Sequence, residues 1–243
     1  MKLRWFVIPF AAAVALSAAG CGIDGFRLTT MQDDKTEHVA ITAVRMEGSG
    51  GGDVTVEPGS AGQVKIHRKI QYNGSQPGNT YRIDGGTLYL NTDCGHNCGV
   101  DYEVRVPEGV TVTGENGSGN VRLTGVSKVD VEVSSGDVEI TRATGPVRVR
   151  ANSGNIDATG VRAATTDLTA DSGDITLDLD TPGNVTAQAD SGNITLQVPS
   201  GTSYLVDATA NSGDTKVHVP TDPNGNYHLT LHASSGDIEV NTR

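Results

Sequence analysis

The stretch SSGD at residues 134–137 recurs with small changes: GSGN at 117–120, NSGN at 152–155, DSGD at 171–174, DSGN at 190–193, NSGD at 211–214 and SSGD again at 234–237. A nucleophilic serine needs a positioned base and a group that orients the base. Seven serines in one repeated context, Ser118, Ser135, Ser153, Ser172, Ser191, Ser212 and Ser235, cannot each have both. The residue after each serine is always glycine, which supplies positive φ for a turn. Asp or Asn follows and is able to bond the local backbone. The repeat therefore reads as a ladder of turns on Gly119, Gly136, Gly154, Gly173, Gly192, Gly213 and Gly236, spaced 17, 18, 19, 19, 21 and 23 residues apart.

Alignment on that glycine brings out columns. Two residues after it stand Val121, Val138, Ile156, Ile175, Ile194, Thr215 and Ile238; four after it stand Leu123, Ile140, Ala158, Leu177, Leu196, Val217 and Val240. Five before it, from the second repeat on, stand Val131, Val149, Leu168, Ala187, Ala208 and Leu231; three before it stand Val133 and then five alanines. An apolar period of two means strands with one buried face. Each repeat reads as strand, tight turn, strand, second turn, and the second turn absorbs the length variation, most of all TDPNGN at 221–226.

The solvent-facing columns choose between stacked coils and a meander of hairpins. Asp130, Arg148 and Asp167 share one column, and Glu132 and Arg150 another. In a parallel solenoid, equivalent positions lie about 4.8 Å apart, so opposite charges become neighbours. The expected fold is all-β: a parallel β-solenoid of seven or more short coils, each repeat one coil stacked on the last, with an irregular N-terminal strand cap. The cap covers 36–110, where VAITAVRMEGSGGGDVTV looks like a degenerate first repeat and QVKIHRKIQY, GTLYLNT and VDYEVRVPEG read as further strands; the regular solenoid covers 111–243.

The first 20 residues read as a signal peptide. Lys2 and Arg4 precede an apolar run to Ala19. Fifteen helical residues span about 22 Å, short of a hydrocarbon core of about 30 Å. SAAGC at 17–21 resembles the lipobox of bacterial lipoproteins and departs from it at Ala18, where a larger aliphatic residue is usual. The resemblance implies lipidation at Cys21, with 21–35 as a tether. Ordinary cleavage after Ala19 is the alternative. With Cys21 assigned to lipid, Cys94 and Cys98 of CGHNC remain as a pair in an oxidising setting, expected as a disulfide. A metal site using His96 lacks a nearby fourth ligand.

Removing Lys2 and Arg4 moves the formal charge from −11 to −13. That acidity argues against nucleic acid, whose phosphates need a basic patch, and against a polybasic grip on anionic lipid.

An exported chain, a strand ending in VRVPEG at 104–109, and serial SG[DN]-V/I-x-V/L units together resemble the putative-adhesin family of bacterial envelope proteins, over roughly 38–243. The resemblance implies a binding protein of undefined ligand.

Other candidate sites are weaker. Asp171, Asp174 and Asp190 gather oxygens around two turns as calcium would require, but Asn155 and Asn193 alternate with them. His228 and His232 lie about 13 Å apart along a strand, too far for one ion. Arg142, Arg148, Arg150 and Arg162 read as rungs of the charge columns. No metal or other cofactor is expected. The mature chain keeps one Phe and six Tyr, few platforms for sugar rings. The expected function is a non-enzymatic, lipid-anchored envelope scaffold for binding or assembly, on the outer face of the cell membrane, with an unidentified envelope or extracellular partner. The rivals are a polysaccharide lyase or glycosidase, by analogy with other β-helices, and an accessory partner of a membrane signalling system.

Overall fold

The computed structural model describes residues 28–243, all strand and turn. Residues 1–20, expected as a signal peptide, and Cys21 lie outside the described residues. No helix among the described residues is long and apolar enough to cross a membrane.

The N-terminal part contains β1 (Thr29–Glu37), β2 (Ala43–Glu47), β3 (Val54–Pro58), β4 (Val64–Tyr72), β5 (Tyr81–Asp84), β6 (Thr87–Asn91) and β7 (Cys98–Val106). Then come the regular pairs: β8 (Thr111–Ser118) with β9 (Val121–Thr124), β10 (Val129–Ser135) with β11 (Val138–Thr141), and β12 (Val147–Ser153) with β13 (Ile156–Val161). They continue as β14 (Thr165–Ser172) with β15 (Ile175–Leu179), and β16 (Asn184–Ser191) with β17 (Ile194–Val198). The last two pairs are β18 (Tyr204–Ser212) with β19 (Thr215–His218), and β20 (Tyr227–Ser235) with β21 (Ile238–Thr242).

Each pair contributes one strand to each of two facing sheets, and neighbouring coils pair in parallel. The register matches the sequence columns: Asp130 is paired with Arg148, Glu132 with Arg150, and Arg148 with Asp167. The core is the stack of apolar columns, including Val131, Val149, Leu168, Ala187 and Leu231, all buried. Alanines fill the column beside the tight turn (Ala151, Ala170, Ala189 and Ala233), where the two sheets meet and little volume is left.

Two expectations need correction. Residues 29–35, read as part of a tether, belong to β1, which pairs antiparallel with β4 along nine residues. The coils are also not stacked in chain order throughout. The β20–β21 coil lies between β16–β17 and β18–β19, so the sixth repeat, not the seventh, forms the end of the rod. The other end mirrors this: β6–β7 stacks outside β2–β3, which sits against β8–β9.

The physical reason is burial. The β20–β21 coil offers Leu229, Leu231, Ile238 and Val240, all fully buried. The β18–β19 coil places Thr215, exposed, in a column otherwise filled by Val and Ile. The less apolar coil faces solvent.

Antiparallel strands close the far end, with β4 and β1 on one sheet and β5 on the other. Inside this cap Arg68 is 6% exposed. Its Nε and Nη2 donate to the two carboxylate oxygens of Asp33 at 2.8 and 2.5 Å, and Nη1 donates to Thr80 Oγ1 at 3.0 Å. The Tyr102 hydroxyl donates to the Thr80 carbonyl at 2.6 Å, and burial pushes its pKa up to about 12. The hydrogen bonds from Arg68 hold the Asp33 carboxyl below its ordinary value. A depressed acid stabilises the fold fully above the unfolded carboxylate value of about 3.9, and that contribution is lost as pH falls through the folded value. Arg68→Ala is expected to cost about 2–4 kcal/mol near neutral pH, because it strands a half-buried carboxylate. In denaturant titrations the wild-type cap should weaken below about pH 4, and Arg68→Met should flatten that acid-side dependence.

Candidate binding faces and the turn ladder

The seven turn glycines all have positive φ, from 111° at Gly119 to 152° at Gly192. The turns stack so closely that a Cβ on Gly173 would run into the carbonyl of Gly154, and one on Gly192 into that of Gly173. Glycine is thus required twice over, by conformation and by contact. The seven serines are in register and carry the backbone ladder: Gly154 N–H donates to the Ser172 carbonyl and Gly173 N–H to that of Ser191, each at 2.9 Å. Nothing pairs them with a base.

The residue after the glycine does something the sequence reading missed. Its side chain bonds the next coil, not its own turn. Asn120 Oδ1 accepts from Asp137 N–H, Asp137 Oδ1 from Asn155 N–H, Asn155 Oδ1 from Asp174 N–H, and Asp174 Oδ1 from Asn193 N–H, at 2.7–2.9 Å. Asn193 Oδ1 then accepts from Asp237 N–H, and Asp237 Oδ1 from Asp214 N–H. At the cap end Asp53 and Asp101 extend the same series. These side chains satisfy corner N–H groups that the strand ladders leave over.

Along the rod Asp and Asn alternate from Asn120 to Asp237, and Asp214 of the end coil, beside Asp237, breaks the alternation. The alternation sets adjacent carboxylates two coils apart, about 9.6 Å instead of about 4.8 Å, which weakens their repulsion. Asp174→Asn keeps the acceptor and should leave stability nearly unchanged; Asp174→Ala removes it and should cost about 1 kcal/mol by urea denaturation.

Of the predicted charge columns, Arg148 reaches Asp167 at 3.3 Å, while Asp130 sits nearer Lys128, at 3.9 Å. Arg162 pairs with Asp180 at 3.1 Å, and the side chain of Arg243 lies on Asp180 as well. Hydrogen bonds from Arg243 and then Arg162 lower the Asp180 pKa. These pairs are exposed and fix register more than stability.

Among the described residues no group of three His, Cys, Asp or Glu is placed to hold a metal ion, Asp171, Asp174 and Asp190 included. His228 pairs across to Leu205, and His232 to Gln188 and Thr209. The structure joins Cys94 to Cys98, Cα atoms 5.4 Å apart, in the corner between β6 and β7 where later coils use Ser-Gly-Asx.

Asn116 was legible as an exception, being polar in the otherwise small apolar column three residues before the glycine. It is 1% exposed, and its Nδ2 donates to the carbonyls of Gly52 and Gly119 at 3.0 and 3.2 Å. It ties the glycine-rich corner of the β2–β3 coil to the regular turns. The Arg68 network gave no periodic signal, because its members come from four separate segments.

The outer faces are sheets of in-register side chains, and their character changes along the rod. Residues 28–164 carry 17 acidic and 13 basic side chains, whereas 165–243 carry 11 acidic and 2 basic. The mixed-charge part adjoins the cap and the acidic part ends at β18–β19.

A family model described as Toastrack DUF4097 matches residues 47–241. No curated protein matches the chain. Among solved structures, a putative adhesin from Bacteroides fragilis is similar at 14% identity, covering 88% of this chain and 97% of that one, with a TM-score of 0.45. A putative adhesin from Parabacteroides distasonis follows at 10% identity, 89% and 98% coverage and a TM-score of 0.40. A putative cell adhesion protein from Clostridium sporogenes shows 11% identity, 88% and 100% coverage and a TM-score of 0.36.

Proposed function

The chain belongs to the Toastrack DUF4097 family, and we propose that it is an exported, lipid-anchored envelope protein whose rod is a scaffold for binding or assembly, not an enzyme. The observation that carries this reading is the repetition itself. Nine stacked coils among the described residues set their outward side chains in register, at a spacing of about 4.8 Å, on two long outer faces. A cleaving site needs two carboxylates placed across a cleft, about 5–10 Å apart; a face repeated from coil to coil instead suits many weak contacts made at once.

The charge distribution gives the rod an orientation. β1 follows the Cys21 segment and caps the mixed-charge end, so the acidic end would project away from an anionic membrane surface. The test has two arms. Cys21→Ser should move the protein from the membrane fraction to the soluble fraction of cells. Purified mature chain on beads should retain envelope fragments while showing no turnover on cell-wall and plant polysaccharides. Turnover abolished by replacing one carboxylate in a still-folded rod would defeat the reading.

A further inference from the structure

The end of the rod formed by β18–β19 is uncovered among the described residues. Val206, Ala208 and Ala210 of β18 are only half-buried, although their columns are fully buried one coil inward at Leu229, Leu231 and Ala233. The edge of β18 is closed at its start. Thr221 bridges Tyr204, and Asp222 N–H donates to the Tyr204 carbonyl at 2.9 Å. What remains open is 206–212, seven residues with Thr209 at the midpoint.

Exposed edge strands are normally guarded by lysine, proline, bulges or short length. β19 is four residues long and carries Lys216 and His218. β5, the edge of the same sheet at the opposite end, is also four residues long and carries Arg82 and Asp84. The open stretch of β18 has no lysine, proline or bulge and runs seven residues, with Asp207 as its single charge.

We propose that this edge is a self-association site, at which β18 pairs antiparallel with β18 of a second copy about a two-fold axis at Thr209. That register sets Ala208 opposite Ala210 of the second copy on the core side. On the outer side it sets Asp207 opposite Asn211 of the second copy, a carboxylate facing an amide, and Thr209 opposite itself. No like charges meet. Moving the axis to Ala208 would ask Tyr204 to pair where Thr221 already lies. Pairing core-side residues with outward ones would turn the apolar set to solvent. Head-to-tail stacking would need β5, which is short and charged, so association stops at two copies. An edge of seven residues is only about 23 Å long, so affinity is weak and gains from co-localisation on a membrane. The pairing does not depend on the lipid anchor, so the two readings fail separately.

The test uses the mature chain with Cys21→Ser, followed by sedimentation velocity from about 1 µM to about 1 mM. A reversible monomer–dimer equilibrium is expected, with Thr209→Lys weakening it about tenfold or more while the β-sheet spectrum is retained. Under mild oxidation Thr209→Cys should give a covalent dimer. Gln188→Cys, exposed in the same column two coils inward, should not. A chain monomeric throughout, assemblies larger than dimers, or equal crosslinking by both cysteines would overturn the proposal.

Discussion

Leu231→Ala lowers stability by about 2–5 kcal/mol, whereas Val206→Ala costs less than half as much. Leu231 is 1% exposed, held between Ala187 of one coil and Ala208 of the next. Its flanking residues are small and sit on paired strands, so they cannot collapse into the space a truncation leaves. Val206 is half-buried and has a coil on one side only. Were the repeats stacked in chain order, β20–β21 would be the exposed terminal coil and the ranking would invert. Equilibrium unfolding of the two variants therefore reads the stacking order directly. Hydrogen exchange gives a second readout, since end coils of solenoids open locally. The amides of β20 should be better protected than those of β18, although β20 lies nearer the C-terminus of the chain.

Gly173→Val should prevent stable folding or cost more than about 4 kcal/mol, the range reserved for a few identifiable mechanisms. Two of them act together here. The φ of 145° at Gly173 is one that a β-branched residue scarcely adopts. Its new Cβ would also enter the carbonyl of Gly154, part of a neighbouring turn that is itself held on both sides. Ser172→Ala, one residue away, touches neither constraint and should change the unfolding free energy by under about 0.5 kcal/mol. If Gly173→Val is too unstable to purify, Gly213→Val is the graded substitute. It lies in the end coil, with φ of 150° and Gly236 as its neighbour on one side only, and should be damaging but less so. Equal effects of Ser172→Ala and the glycine variants would assign the serine a role that the turn geometry does not.

Much of the rod was legible in the sequence because a strand's period of two is set by its own backbone. Val131, Val133, Val138 and Ile140 must share one side whatever they pack against. The parallel register was legible too, from Asp130, Arg148 and Asp167, since charges in a column can be read without coordinates. Positive φ at the glycines followed from the residue type, and the Cys94–Cys98 pairing from the count of cysteines in a chain read from its sequence as exported.

The tertiary structure decided what local sequence leaves degenerate. Every coil presents nearly the same columns, so any coil can stack on any other, and chain order is only a default. Exposure of the end coil breaks the tie: Thr215 marks β18–β19 as the coil that loses least by facing water, and β20–β21 moves inward. The same degeneracy hid the Asx ladder. An Asp or Asn after glycine can bond its own turn or the next coil, and only the stacking distance shows that the neighbour's N–H is in reach. The cap is the extreme case. Asp33, Arg68, Thr80 and Tyr102 carry no shared period, and a buried guanidinium becomes favourable only once the folded chain has brought its carboxylate and hydroxyl partners to it.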